Sequence, residues 1–511
     1  MRTRGLVLAS LALALALTLD RTARADVLDD VRARGALVWG ADQEGGGPYV
    51  FPRDDDSTVV TGFEVELADA IASEMGVKAK FHQGNWDKLP DLARTGEIDI
   101  VLNGYEWTED RAQALEASKP YYVYALQLLV PKTRTDLTWE TLAKPQSPKR
   151  KVGVLTGSAA EEAARSQLGD AVEVVTYDGN TDSMKEVENG KLDATIQDTP
   201  IVAFYGERFP GLVRSGDPIR EGLYVIYAKR GEKRLIEAID AALVALQKSG
   251  KLSTILARYG LLDAQQKRLE KELGPVDKPV DASAPPIKAG ERKRGLRVVA
   301  DYAGVLGKAA LLTVVLSVAS FPLAVILGLA VAVLRLWGPR WLRPVFASYV
   351  EFLRGTPLML QLYVLFFMLP ELGVRLSAFP TAIIGLALNY SAYESEIYRA
   401  GLQAVPEGQT EAGLALGMSR WGVLRHVVIP QATRIVIPPV VNDFVALFKD
   451  TSVCSVVTLV ELTKQYSVLS MSTQATVELT IMTAILYLAM SLPLSFVARR
   501  LEQRLARGSA R

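Results

Sequence analysis

The sequence has 511 residues, with 58 Lys+Arg against 57 Asp+Glu, two histidines and one cysteine. That length exceeds a single ordinary core, the balanced charge excludes the global basic signature of a nucleic-acid binder, and the lone Cys454 excludes an internal disulfide framework or a thiolate zinc cluster. The mean hydropathy of +0.15 averages two unlike halves, because residues 301–511 hold only 17 Lys+Arg and 12 Asp+Glu, so the front reads as a water-soluble globule and the back as a membrane domain.

At the start, Arg2 and Arg4 precede an apolar run from Leu6 to Leu19, and Ala23-Arg24-Ala25 follows before Asp26. A charged segment, a short apolar core and an A-x-A site together predict an export signal over residues 1–25. A short membrane anchor is the alternative. Export would place the next 250 or so residues on the extracytoplasmic side.

Short apolar strands then alternate with helical patterns, the signature of α/β layers. Candidate strands are Ala36–Trp39, Val77–Phe81, Ile98–Leu102, Val152–Leu155, Val172–Thr176, Ala194–Gln197 and Leu223–Tyr227. After Gly62, the residues Phe63, Leu67, Ile71 and Met75 recur every four positions and make one apolar helix stripe. No G-x-x-x-x-G-K-[ST] occurs, so the chain carries no P-loop for ATP. Nothing in the pattern marks a catalytic residue or a metal site.

Three local features can together hold an amino-acid zwitterion. Arg111 ends a segment that follows a buried strand, where a guanidinium fork suits bidentate capture of a carboxylate. Gly157-Ser158-Ala159 lies between a strand and a helix, where free backbone N–H groups can hold the same anion. Asp198 follows the strand Ala194–Gln197 and offers the charge for an ammonium group. Each also has a plainer structural role: Arg111 as a surface ion pair, Ser158 as a helix cap, Asp198 as a turn residue.

Here the chain resembles a known family. Gly62-Phe63-Glu64-Val65-Glu66-Leu67, Ile71-Ala72 and Met75 match the signature helix of the extracellular solute-binding proteins for polar amino acids. The resemblance spans 26–260 and includes Arg111, Gly157, Ser158 and Gly190-Lys191-Leu192-Asp193-Ala194 with Asp198. It implies an α/β bilobed periplasmic-binding-protein-like domain whose lobes close over the ligand, joined by crossovers near Leu126–Pro131 and Pro218–Tyr224. It further implies that Arg111 takes the ligand's carboxylate and Asp198 its ammonium, within a set comprising Asp42, Trp86, Gly104, Glu106, Arg111, Gly157, Ser158 and Asp198. Two departures stand out. Glu106 replaces a small hydroxyl residue, and the loop Asp42–Tyr49 is glycine-rich. Glu106 with Asp42 and Glu44 can favour a cationic side chain, or Glu106 can serve only backbone or ammonium contacts.

Residues 261–297 read as a linker, charged at first and then Pro-rich from Gly274 to Gly290. Its sixteen positions 275–290, at about 3.1 Å each, can reach roughly 50 Å. The basic run Arg292, Lys293, Arg294 and Arg297 then precedes the membrane half, against the positive-inside rule.

Residues 298–511 read as an all-α membrane domain of five transmembrane helices. The spans are Ala309–Leu334, Val345–Leu369, Leu376–Glu396, one within Ile435–Val460, and Leu479–Ala498. Five spans place Arg335, Arg340 and Arg343 on one side with Arg399, Arg420, Arg425 and Arg434, which marks the cytoplasm. Glu411-Ala412-Gly413, Gly417 and Pro430 resemble the cytoplasmic EAA loop of ABC importer permeases, in which a glycine turns the chain between two short helices and Pro430 would end the second. Glu351–Pro357, Ser391–Tyr393 and Lys449–Ser452 fit the polar-amino-acid permeases over 305–500. Gln361, Asn389, Glu394, Asn442 and Asp443 are pathway candidates or helix-packing groups, since polar groups at such depth face an interface or a solvated path.

The two resemblances imply a receptor–permease fusion of an amino-acid ABC importer in a bacterial inner membrane. Its partners would be an amino acid, a separate cytoplasmic ABC ATPase dimer that binds the ATP, a second permease subunit and membrane lipid. Neither a cofactor of its own nor nucleic acid is implied. A ligand-gated ion channel with a similar bilobed domain is the competing class, but there membrane segments interrupt the second lobe.

Overall fold

The computed structural model describes residues 26–53, 56–278, 280, 286–289 and 294–509. The expected export signal, residues 1–25, lies outside them, as do residues 279, 281–285 and 290–293 of the linker.

The front domain is built on one mixed sheet. Its strands are β1 (Ala36–Ala41), β4 (Lys78–Gln83), β5 (Ile100–Val101), β6 (Leu115–Pro131), β7 (Arg150–Leu155), β8 (Val172–Tyr177), β9 (Ala194–Asp198) and β10 (Leu212–Lys229); β2 (Phe51–Pro52) and β3 (Val60–Thr61) form a small hairpin apart. The order β4-β1-β5-β10-β6-β9-β7-β8 divides the sheet into two lobes. The parallel pairs β1/β4 and β1/β5 make the first, and β7/β8 and β7/β9 the second. The crossovers expected near Leu126–Pro131 and Pro218–Tyr224 fall within continuous strands. They are the middles of two long antiparallel strands, β6 and β10, whose register slips between Ser215 and Tyr227 as the sheet turns from one lobe into the other. Bulges of this kind increase local twist, which lets one continuous ladder serve both lobes.

The signature helix Phe63–Glu74 buries Phe63, Leu67 and Ile71 in the core of the first lobe, as their spacing requires. Residues beyond 260 also pack on this domain. Gln266 accepts from Val123 N at 3.0 Å and donates to its carbonyl at 2.9 Å, and Leu269 and Leu273 are buried. The linker residues 286–289 are pinned too, with Ile287 N bonded to Arg258 O at 2.6 Å and Ala289 N to Phe204 O at 3.3 Å.

The back half is helical. Leu296–Trp337 runs for 42 residues, and with Thr476–Arg500 it is long and apolar enough to cross a membrane. The sequence reads Val345–Leu369 as one span. Instead Leu342–Gly355 and Leu358–Leu372 meet at 107°. Pro357 lies at the break, where it cannot donate a helix bond and disfavours helical backbone at Thr356. Ala378–Gln403 and Ile429–Asp450 complete the bundle, with a short helix, Leu462–Thr473, before the last.

Packing is not confined to each half. One apolar cluster runs from Leu89, Leu92 and Tyr105 of the first lobe to Leu362, Phe366 and Leu386 of the helical half. The two halves thus share a core where they meet.

Candidate functional site

The cleft lies where β6 and β10 pass between the lobes. Its aromatic floor comes from positions the sequence reading did not single out. Tyr224 stacks on Tyr124 with centroids 4.5 Å apart, and its hydroxyl lies 2.8 Å from that of Tyr49. The signal was available in Tyr121-Tyr122-Val123-Tyr124, an aromatic run in what becomes a crossover strand.

Arg111 belongs to the helix Glu109–Ala114, capped by Thr108. Its guanidinium lies over the rings of Tyr105 and Trp86, at 4.9 and 5.3 Å. These rings are themselves stacked, 4.6 Å apart, and Trp86 Nε1 donates to Asn103 O at 2.9 Å. Cation–π contact and hydrogen bonds thus hold the fork in place. Arg111 Nη1 donates to Glu106 Oε2 at 2.6 Å, and Nη2 reaches across the cleft to Gly157 O at 3.1 Å.

Gly104 is required by its surroundings. Its φ is +60°, and an added Cβ would stand 2.9 Å from the ring of Tyr49. Its N–H donates to Glu64 Oε1 at 2.6 Å. Burial pushes the Glu64 carboxyl up to about 7, against the opposing bonds from Tyr121 and Gly104.

On the second lobe Ser158 caps the short helix Ala159–Ala163, its Oγ accepting from Glu161 N at 3.3 Å and donating to Leu155 O at 2.7 Å. The capping role read from sequence is therefore present. Asp198 ends β9 but makes no cap bond; its carboxylate accepts from the Tyr224 hydroxyl. Burial, reinforced by Glu106, pushes Asp198 up to about 8.

Asp42 does not face the cleft. Its oxygens accept from Trp86 N at 2.9 Å, Glu44 N at 3.0 Å and Gln83 Nε2 at 2.7 Å, so it organises the first loop. Trp86, Gly104, Glu106, Ser158 and Asp198 do converge on one space between the lobes. That space measures about 20 Å³, room for roughly one water, so the lobes are shut.

A larger cavity of about 490 Å³ opens outside the cleft, walled by Asp42, Glu44, Trp86 and Lys88 on the front domain and by Met359, Leu360, Tyr363 and Val456 on the helical half. Both lobes meet the helical half around it. Lys464 Nζ lies 2.7 Å from Glu44 Oε2 and 2.7 Å from Asn85 Oδ1. On the second lobe Lys185 donates to Thr476 Oγ1 at 2.9 Å and Thr181 to Met471 O at 3.2 Å.

Within the helical half, Asn389 and Asp443 line a cavity of about 510 Å³ with Arg354, Thr356, Tyr393 and Asp450. Gln361 sits behind it, accepting from Asn389 Nδ2 at 3.2 Å. Glu394 is fully buried against Gly328 of the long helix. Asn442 is exposed and does not line the cavity, being turned about 100° around the helix from Asp443.

The EAA-like loop forms the helices Glu407–Ala415 and Arg420–Val423 with Gly417 at φ +82° between them. Glu411 and Ala412 are exposed. Gly413 is buried, and a Cβ there would stand 2.8 Å from Val423. Pro430 does not end the second helix. A π-turn over Leu424–Val428 carries the chain on, and Pro430 falls in the first turn of Ile429–Asp450, where its missing N–H is unneeded.

Residues 324–507 match the family of binding-protein-dependent transport system inner membrane components, and residues 38–262 match the bacterial extracellular solute-binding proteins, family 3. The L-cystine transport system permease protein TcyB of Bacillus subtilis (strain 168) is 40% identical over 38% of this chain and 84% of its own length. The glutamine transport system permease protein GlnP of Escherichia coli (strain K12) is 34% identical over 39% of this chain and 93% of its own. Among solved structures, the ancestral amino acid-binding protein AncCDT-1 is 29% identical over 45% of this chain and 97% of that one, with a TM-score of 0.42.

Proposed function

This chain belongs to the binding-protein-dependent transport system inner membrane components, with a family 3 solute-binding domain fused in front, and on that premise we propose that it captures an amino acid and passes it through its own membrane half. The cystine and glutamine named for its relatives support an amino acid as ligand. Arg111 takes the carboxylate and Asp198 the ammonium, with Trp86, Gly104, Glu106, Gly157 and Ser158 around them. Asp42 shapes the loop behind.

The observation that carries this is the cavity of about 490 Å³ between the cleft mouth and Met359, Leu360 and Tyr363. A ligand released by opening lobes enters a walled chamber rather than bulk solvent. Beyond it, Asn389, Asp443 and Gln361 line or support the path inward, with Glu394 buried behind them and Asn442 facing a second permease subunit. Five spans, counting the bent pair as one, put the front domain outside and the loop Glu411, Ala412, Gly417 and Pro430 in the cytoplasm. There a separate ATPase dimer binds, and its ATP cycle shifts the permease between outward and inward states. Residues 1–25 act as the export signal and 26–260 as the main ligand-binding unit, with 261–297 and 298–511 as linker and lipid-embedded permease. A ligand-gated channel is not favoured, because both lobes are complete before Leu296.

The test is calorimetry on the full chain in nanodiscs against the amino acids. Binding of at least one, lost in Arg111→Ala, supports the proposal; absence of binding by any of them overturns it.

A further inference from the structure

The anion-binding groups of the cleft are occupied by one of the chain's own side chains. Glu106 Oε2 takes Arg111 Nη1 at 2.6 Å, and Glu106 Oε1 takes the backbone N–H of Ala159 at 2.9 Å. Arg111 and Glu106 belong to the first lobe, Ala159 to the second. The carboxylate therefore bridges the cleft as a ligand's carboxylate would, and it is only 2% exposed. The remaining space of about 20 Å³ holds no amino acid. The Arg111 bond to Gly157 O, at 3.1 Å, closes the same seam.

The geometry points to Glu106 as a tethered internal ligand. It holds the lobes together in the absence of substrate, and an incoming carboxylate must displace it from Arg111 and Ala159. The inference rests on the amino-acid assignment for its second half only, since self-closure needs no substrate. Displaced, Glu106 stays in the cleft beside Asp198. The charges there are then two carboxylates and Arg111, plus whatever the ligand brings. A neutral amino acid leaves Glu106 without a partner, whereas a ligand with a cationic side chain supplies one. Glu106 is thus both the latch of the empty cleft and a selector against neutral amino acids.

The test uses the full chain in nanodiscs with Cys454→Ser, spin-labelled at Glu74→Cys on the first lobe and Glu173→Cys on the second. Without amino acid, the unsubstituted cleft should give one short inter-label distance, and Glu106→Thr a longer, broader distribution. Glu106→Gln keeps the length and the acceptor for Ala159 while losing the charge, so it should open partially and guards against a folding defect. Identical distributions in all three overturn the latch. Calorimetry with L-glutamine should then find Glu106→Thr binding about tenfold tighter than the unsubstituted chain; equal or weaker binding overturns the selector role. Lobes that open in Glu106→Thr while no amino acid binds any variant would uphold the latch and overturn the amino-acid assignment instead.

Discussion

Lys464 of the membrane half places its Nζ 2.7 Å from the Glu44 carboxylate of the receptor domain, and its side chain is only 6% exposed. Asn85 Oδ1 at 2.7 Å and Asp42 at 4.0 Å complete its surroundings. Burial acts to lower the lysine's proton affinity, but Asp42 and Glu44 outweigh it and hold it raised. The contact lies at the rim of the cleft and joins the half that binds to the half that conducts.

Removing the lysine should therefore weaken docking without touching the ligand site. Breaking a buried pair from one side costs about 3–5 kcal/mol, because the abandoned carboxylates stay buried. Lys464→Ala should keep amino-acid affinity and lose most receptor-stimulated ATPase activity. The exchange Lys464→Glu with Glu44→Lys should recover part of it. Stimulation assays on the reconstituted complex check both.

Arg111 is the proposed anchor of the ligand's carboxylate. Deleting one partner of a desolvated charged hydrogen bond costs about 2–5 kcal/mol, so Arg111→Ala should reduce amino-acid affinity by at least about thirtyfold. Arg111→Lys should not restore it fully, since an ammonium cannot reproduce the fork. Titration calorimetry reads both.

Asp198 sits at about 8 because it is buried. It is mostly protonated at pH 7, whereas a free Asp carboxyl ionises near 3.9. Pairing with a ligand ammonium requires the carboxylate, so binding at pH 7 should release a proton, and affinity should rise from pH 6 to pH 8. The same shift makes folding stability fall as pH climbs between roughly 4 and 8, since the folded state then holds a proton the unfolded state has lost. Asp198→Asn should abolish the dependence of binding enthalpy on buffer ionisation heat. Calorimetry in two buffers decides it.

The loop proposed to face the cytoplasm offers a fourth test. Gly417 has φ +82° and stands between two short helices, with Leu416 84% and Trp421 66% exposed. A branched residue at Gly417 strains the turn by about 1–2 kcal/mol. Gly417→Val, or Trp421→Ala, should reduce co-purification of the ATPase while leaving amino-acid binding unchanged.

Much of this was legible in the sequence, for physical reasons that apply residue by residue. The stripe Phe63, Leu67, Ile71 reports helix periodicity directly, and the uncharged run inside Leu296–Trp337 reports the membrane. Arg111 at a strand-to-helix junction could be placed at the cleft. What failed depended on distant geometry. Asp42 has the charge for a ligand contact, but Trp86 N, Glu44 N and Gln83 claim its oxygens. Pro357 signals a break within the apolar run, but composition does not give its angle of 107°. Pro430 read as a stop because a π-turn that shifts the helix phase leaves no mark in composition. The bond from Ala159 N to Glu106 joins residues 53 apart on opposite lobes, beyond any local pattern.

The most direct measurement is uptake of a radiolabelled amino acid into proteoliposomes that carry this chain and its ATPase, with no other binding protein added. Capture and conduction by one chain predict ATP-dependent uptake that is lost in both Arg111→Ala and Lys464→Ala, although only the first loses ligand affinity. Undiminished uptake in Arg111→Ala would contradict that claim.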